Sequence, residues 1–375
     1  MPEIARRLTA SHENRLLLVI IVMVAGLALT TPHFFTLQNL FDLMTSYAFT
    51  GILAAGLLVV LISGGIDISF TATASVAQYV AISAALAWPI GWVGMFAIAI
   101  AVGLLLGLVN AVLVSTLRIS SIIVTIATLN IYYGLLVFFT KGNYIYALPD
   151  WFGRGIDWPI LSRDHQTYAI NLQILLLVVV FAAVWVLLSR TSTGRQIYAL
   201  GGNRDAAERA GFNVFRLNLL AYGLMGITAG IASLAQAQID QSVMPTSLVG
   251  KELHVLAAVV LGGASLLGGL GSVYGAILGV ALLAVLENGL IIAGVPSYWL
   301  DFFSGVVILA AYFVGAPLVL SRTLLKRYVR EMGRARFAVM VLLLMMMLAL
   351  PLKMILRWSC NLSYVLSMPE YYFNF

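Results

Sequence analysis

A single cysteine, Cys360, is all the thiol chemistry the chain holds, which excludes an internal disulfide framework and any cysteine-rich metal centre. The histidines His12, His33, His165 and His254 are scattered and show no H-E-x-x-H spacing. No Walker A loop occurs: Gly250-Lys251 is followed by Glu252 where Ser or Thr is needed, and the upstream glycine spacing differs. No G-x-S-x-G nucleophile elbow is present either. Charge is scarce as well, at 10% of residues, while 62% are hydrophobic. None of these motifs offers a site for hydrolysis, so any energetic work the chain performs is expected to be driven by a partner.

What is present is oil in long runs. A mean hydropathy of +1.01 over 375 residues describes a polytopic membrane protein, not a soluble domain. Segments of span length, about 17–25 residues, read as about ten transmembrane helices. They are Leu16–Thr30, Tyr47–Ser63, Thr71–Trp88, Gly91–Ser115, Ser121–Thr140, Asn171–Ser189, Leu219–Asp240, His254–Gly268, Ser272–Val295 and Leu300–Leu320. The third, eighth and ninth are interrupted by glycine or polar residues, which membrane depth tolerates only where the backbone is buried in protein or lines a cavity. The expected fold is therefore all-α with Gly-rich interrupted helices.

Loop charge orients these spans. Arg6, Arg7, Arg15, Arg118, the cluster within 190–218, and Arg322, Lys326, Arg327, Arg330, Arg334 and Arg336 fall on one side, against Lys141, Arg154, Arg163 and Lys251 on the other. The positive-inside rule makes the first side, and the N-terminus, cytoplasmic. The formal net charge of +6 follows from this bias and from the anionic inner leaflet, so no nucleic-acid partner is expected.

The stretch Arg190–Asn218 (RTSTGRQIYALGGNRDAAERAGFNVFRLN) concentrates the charge. Asp205–Ala210 uses strong helix formers, carries an acid in its first turn, and is followed by Gly211 as a stop, which predicts a short exposed helix. It is either a solvated connection or a docking element for a cytoplasmic partner. Two glycine clusters stand out in the apolar runs: Ser63–Ser69 (SGGIDIS) and Leu261–Gly275 (LGGASLLGGLGSVYG). They serve close helix packing or unwound backbone beside a pathway, with Gly64, Gly65, Gly262, Gly263, Gly268 and Gly269 as the candidates. Asp67 within the first cluster suits a cap, an interfacial role or contact with cargo, and Glu287 beside Asn288 raises the same question. Gln78, Asn110, Asn130, Gln236, Gln238 and Asn288 either line a path for a hydroxylated solute or tie helices together. The aromatic loop Lys141–Asn171 suits a segment lying flat at the membrane interface.

In this order, SGGIDIS, GRQIYALGGNRDAAERAGFNVFRLN, ELHVLAAVVLGGASLLGGLGSVYGAILG and NGLIIAGVPSYW resemble the permease subunit of ribose/xylose/arabinose-type ABC importers, from about Leu16 to Gly315. The resemblance implies a sugar-like solute, a periplasmic solute-binding protein, a cytoplasmic ATP-binding subunit, a second permease subunit, contact with membrane lipid, and residence in a bacterial inner membrane. It implies no cofactor in this chain, ATP being bound by the partner. It also implies that Gly201, Gly202, Asn203, Ala206, Ala207, Glu208 and Gly211 form the ATPase-coupling loop. The organisation it suggests is a cytoplasmic N-terminus (1–15), a transmembrane permease domain (16–320) with cytoplasmic loop 190–218 and periplasmic loop 141–171, and a basic segment with an atypical hydrophobic tail (321–375). Two departures stand out: Phe70-Thr71 follows Ser69 where the family carries a small residue and glycine, and the tail around Phe337–Ile355 reads as an eleventh span or an aberrant terminus. The competing class is an ion-coupled secondary transporter, for which Asp67 and Glu287 are the only intramembrane carboxylate candidates and no basic residue shares their spans.

Overall fold

A computed structural model describes residues 12–31, 34–117, 119–163, 166–296, 299–300 and 302–306. These residues all belong to one compact unit that ends at Leu309. They form the helices α1 (His12–Thr30), α2 (Leu37–Ser46), α3 (Ala48–Ile62), α4 (Phe70–Ala87), α5 (Gly91–Leu117), α6 (Ser121–Thr140) and α7 (Asp150–Gly153). After the strands β1 (Asp157–Arg163) and β2 (Gln166–Asn171) come α8 (Leu172–Arg190), α9 (Ser192–Gly202), α10 (Arg204–Arg209), α11 (Val214–Asp240), α12 (Lys251–Leu261) and α13 (Val273–Ile292).

Among the described residues seven helices (α1, α4, α5, α6, α8, α11 and α13) are long and apolar enough to cross a membrane. An eighth crossing arises if α2 and α3, bent by 51° at Tyr47, count as one broken span. The ten expected spans shrink for two reasons. His254–Gly268 is not a span: α12 has 11 residues, which at the α-helical rise gives about 16 Å, roughly half of a hydrocarbon core. The tenth segment, Leu300–Leu320, falls mostly outside the described residues, as do the basic segment and tail beyond it.

The core is built around α3, buried at every position except Thr50 and apolar all round, as a helix without a solvent or lipid face must be. Against it lie α11, α8 and α12. The most extensive pair is α5 with α11, where a Cβ built on Gly103 would stand 2.2 Å from the Gly226 carbonyl oxygen and one on Gly226 2.1 Å from that of Gly103. Gly230 faces the Ala99 carbonyl at 2.3 Å in the same way. Hydrocarbon offers no hydrophobic drive between helices, so association rests on the close van der Waals packing that small residues permit. The same device joins α12 to α13, where a Cβ built on Gly262 or Gly279 would stand 2.3 or 1.9 Å from the carbonyl oxygen of Gly275 or Ala258.

At the far end from the charged loop, the aromatic segment folds into more than a flat strip. An antiparallel hairpin pairs β1 with β2, with a bulge between Pro159 and Leu161, and Phe152 is buried beside Trp92 and Trp151 at ring-centroid distances of 5.1 and 6.1 Å. A bridge between Ile145 and Val243 ties it to the α11–α12 connection.

The α5–α11 contact generates a stability prediction. Gly226→Ala places a methyl against the Gly103 carbonyl and should cost about 1–3 kcal/mol or more as the helices part, lowering the thermal midpoint in detergent. Gly134→Ala on α6, where a Cβ meets nothing within 4 Å, should leave the midpoint unchanged or slightly higher. Equal midpoints for the two variants would contradict glycine-mediated packing.

Candidate functional site

The sequence SGGIDIS ends α3 and delays α4. Gly64 adopts φ +85°, and the pair Gly64 N–H→Leu61 O (2.9 Å) with Gly65 N–H→Val60 O (3.1 Å) closes the helix as a Schellman motif. The following backbone is not left bare. Ile66 N–H donates to Ser121 Oγ at 2.9 Å, and Thr125 Oγ1 donates to the Ile66 carbonyl at 3.2 Å, both acceptor and donor coming from α6. Asp67, 2% exposed, accepts from Ser69 N at 2.8 Å and Ser69 Oγ at 2.7 Å, an Asx-type turn that holds the residue from which α4 starts. Asn110 Nδ2 donates to Ser69 Oγ at 2.6 Å, and the Tyr132 hydroxyl, 3.2 Å from Asn110 Oδ1, completes a buried polar chain through α5 to α6. Phe70, at the departure from the family pattern, is fully packed at 1% exposure.

The charged loop splits into two helices joined at Asn203. α9 is seated on the body by buried Ile197 and Leu200 and by Tyr198, whose hydroxyl donates to the Gly271 carbonyl at 2.7 Å. α10 is capped by Asn203, whose Oδ1 accepts from Ala206 N at 2.9 Å, and closes at Gly211 with the same Schellman pair. The short exposed helix expected from the sequence is thus present. Asn203, Arg204, Asp205, Ala206, Glu208, Arg209, Ala210 and Gly211 are exposed, whereas Ala207 is buried at 3% and faces the body. Arg204 and Glu208 pair across the outer surface at 3.1 Å.

Three segments far apart in sequence meet at one point. The Gly269 N–H donates to the Ile62 carbonyl at 3.0 Å. A Cβ on Gly201 would stand 1.8 Å from that same carbonyl oxygen, and one on Gly268 would stand 2.6 Å from Gly64 Cα and 2.8 Å from the Gly201 carbonyl. The end of α3, the end of α9 and the Gly268-Gly269 turn therefore touch backbone to backbone, with no side chain between them. Beside this junction lies a cavity of about 580 Å³ walled by Ser63–Gly65, Ser120-Ser121, Leu200–Arg204, Asn218 and Tyr222.

The remaining candidates do not join it. Asn130 is exposed on α6 and bonds its own helix at Ile126, so it lines no path through this chain. Gln236 bonds Asp240 one turn along its own helix, whereas Gln238 bonds Gln173 and the Phe152 carbonyl and Asn288 exchanges two 3.0 Å bonds with Asn39, which ties elements together. Gly262 packs on α13 and Gly263 against the His12 ring. Glu287 gains the basic partner its own span lacks: His254 of α12 lies 3.4 Å away, and Tyr47 and Ser304 also donate to the carboxylate. Ser121 and Tyr222 were not legible as site residues, because a serine at a helix start and a tyrosine in an apolar run carry no signal until their distant partners are placed.

Residues 39–312 match the family described as "Branched-chain amino acid transport system / permease component". The ribose import permease protein RbsC of Escherichia coli (strain K12) is 32% identical over 314 residues, 80% of this chain and 93% of that protein. The autoinducer 2 import system permease protein LsrC of Yersinia pestis (strain Pestoides F) is 31% identical over 327 residues, 87% of this chain and 90% of that protein. No solved structure matches.

The junction predicts a contrast between adjacent glycines. Gly201→Ala drives a methyl into the Ile62 carbonyl and should raise amide hydrogen exchange across 62–65 and 268–271, whereas Gly202→Ala, with open space around its Cβ, should not. Identical exchange in the two variants would mean that the three turns are not held together.

Proposed function

Because the chain belongs to this family of transport-system permease components, we propose that it is the membrane permease subunit of an ABC importer that passes a sugar or sugar-like solute into the cytoplasm. The names of the relatives support that solute class, one importing ribose and the other autoinducer 2. In this reading the solute arrives from a periplasmic solute-binding protein, a cytoplasmic ATP-binding subunit supplies the energy, a second permease subunit completes the pore, and the membrane is a bacterial inner membrane.

The observation that carries the reading is the seating of α9–α10. An exposed charged helix suited to an external groove is continuous with a helix whose last turn touches the break after α3. Displacement of α10 by an ATPase is thereby delivered to Gly64, Gly65 and the following Asp67 turn without passing through a flexible side chain. Asp67 holds the turn from which α4 begins, and Gly64, Gly65, Gly268 and Gly269 form the hinge at the pathway end. Glu287 accepts from Tyr47, His254 and Ser304, an arrangement that suits a structural tie at the α2–α3 bend more than an ion relay.

The test places bulk and reversed charge on the outer face of α10 only. Ala206→Trp with Glu208→Arg should leave membrane insertion intact and reduce co-purification of the ATP-binding subunit at least about tenfold, the loss of roughly 1.4 kcal/mol of docking energy. Purified alone, the permease should hydrolyse no ATP, and addition of the ATP-binding subunit should restore hydrolysis. Full co-purification and uptake in the double variant would contradict the docking role.

A further inference from the structure

We propose that the cavity beside the glycine junction is a cytoplasm-facing binding site for a small, neutral, polyhydroxylated solute, with the Tyr222 hydroxyl as its principal hydrogen-bonding group. The site deepens the importer reading, from which it takes the solute class, and it assigns a contact residue that the motifs do not mark.

Tyr222 carries the inference. Its side chain is wholly buried on α11, yet among the described residues its hydroxyl has no hydrogen-bond partner of ordinary geometry. A buried hydroxyl without a partner costs about 1–3 kcal/mol, so a protein retains one where something intermittently satisfies it. The hydroxyl stands near Ser121, which shares the cavity wall, and it is 2.5 Å from where a Gly65 Cβ would sit. Any side chain at Gly65 would fill the approach to it.

The lining selects the ligand class. Hydroxyl and amide groups of Ser63, Ser120, Ser121, Asn203, Asn218 and Tyr222 dominate, and among the described lining residues Arg204 is the one charged side chain. Its guanidinium is paired with Glu208 at 3.1 Å, so among the described lining residues no unpaired cation faces the cavity. A volume of about 580 Å³ lies within the ordinary range of small-molecule sites and admits a pentose or pentitol with some water. Its walls are the break after α3 on one side and the α9–α10 joint on the other, so an occupant touches both the hinge and the coupling element as it leaves.

The experiment uses the permease with its ATP-binding subunit in nanodiscs, without the binding protein. In a Cys360→Ser background, exposed Ser120 is replaced (Ser120→Cys) and its labelling by a membrane-impermeant maleimide is timed against D-ribose, D-xylose, xylitol and ribose 5-phosphate. The neutral compounds should slow labelling saturably, and the phosphorylated one should do so no better. Tyr222→Phe, which keeps the ring and loses one hydrogen bond, should raise the half-effect concentration about three- to tenfold. Its thermal midpoint should not fall, since no existing bond is lost. Absence of protection by every neutral compound, or protection that Tyr222→Phe does not weaken, overturns the site. Uptake assayed with the binding protein separates the two claims: uptake of these sugars without cytoplasmic-side protection defeats the site alone, and protection without uptake of any of them defeats the importer reading alone.

Discussion

Hydrocarbon supplies no hydrogen bonds to an interrupted helix, and that constraint organises everything at the end of the molecule that bears the charged loop. Once SGGIDIS stops α3 before α4 begins, each freed backbone group must find a protein partner. The Ile62 carbonyl takes the Gly269 N–H, the Ile66 N–H and carbonyl take Ser121 and Thr125, and the Ser69 N–H takes Asp67. These bonds recruit α6, the Gly268-Gly269 turn and, through Ser69 and Asn110, α5. The break is thus the point where the most distant parts of the sequence are stitched together.

Glycine makes the stitching possible in two different ways. At Gly64, Gly211 and Gly263 it supplies the left-handed residue that lets a helix end with its last carbonyls satisfied. At Gly201 and Gly268 it supplies absence, since any Cβ would overlap a neighbouring backbone. A contact made only of backbone has no rotamers to absorb a displacement, so in the proposed reading movement of α9 is passed to the end of α3. In that reading the contact joins the exposed, charged helix α10 to the glycine-marked break after α3.

Much of this could be read from the chain and some could not. The membrane class, most spans, and the short helix around Asp205–Arg209 follow from apolar run length, helix propensity and a terminal glycine, all local signals. The segment His254–Gly268 misleads because hydropathy averages over a window, whereas Gly262-Gly263 reverses the chain within it. The hairpin at 157–171 is hidden in an aromatic stretch whose composition equally suits an interfacial strip. Glu287 lacks a basic partner within its own span, yet finds His254 on the half-length helix beside it. The glycine motifs were visible one by one; their meeting was not, because backbone proximity between residues 64, 201 and 268 leaves no trace in any single window.

The central claim is that the backbone junction transmits motion between the docking helix and the hinge. The most direct measurement is solute uptake per ATP hydrolysed by the reconstituted importer carrying Gly268→Ala, a substitution whose methyl meets Gly64 and the Gly201 carbonyl. Transmission through the junction predicts an assembled complex that still hydrolyses ATP while uptake per ATP falls at least about tenfold, the effect of roughly 1.4 kcal/mol at the coupled step. An unchanged uptake-to-hydrolysis ratio in a correctly assembled complex would contradict it.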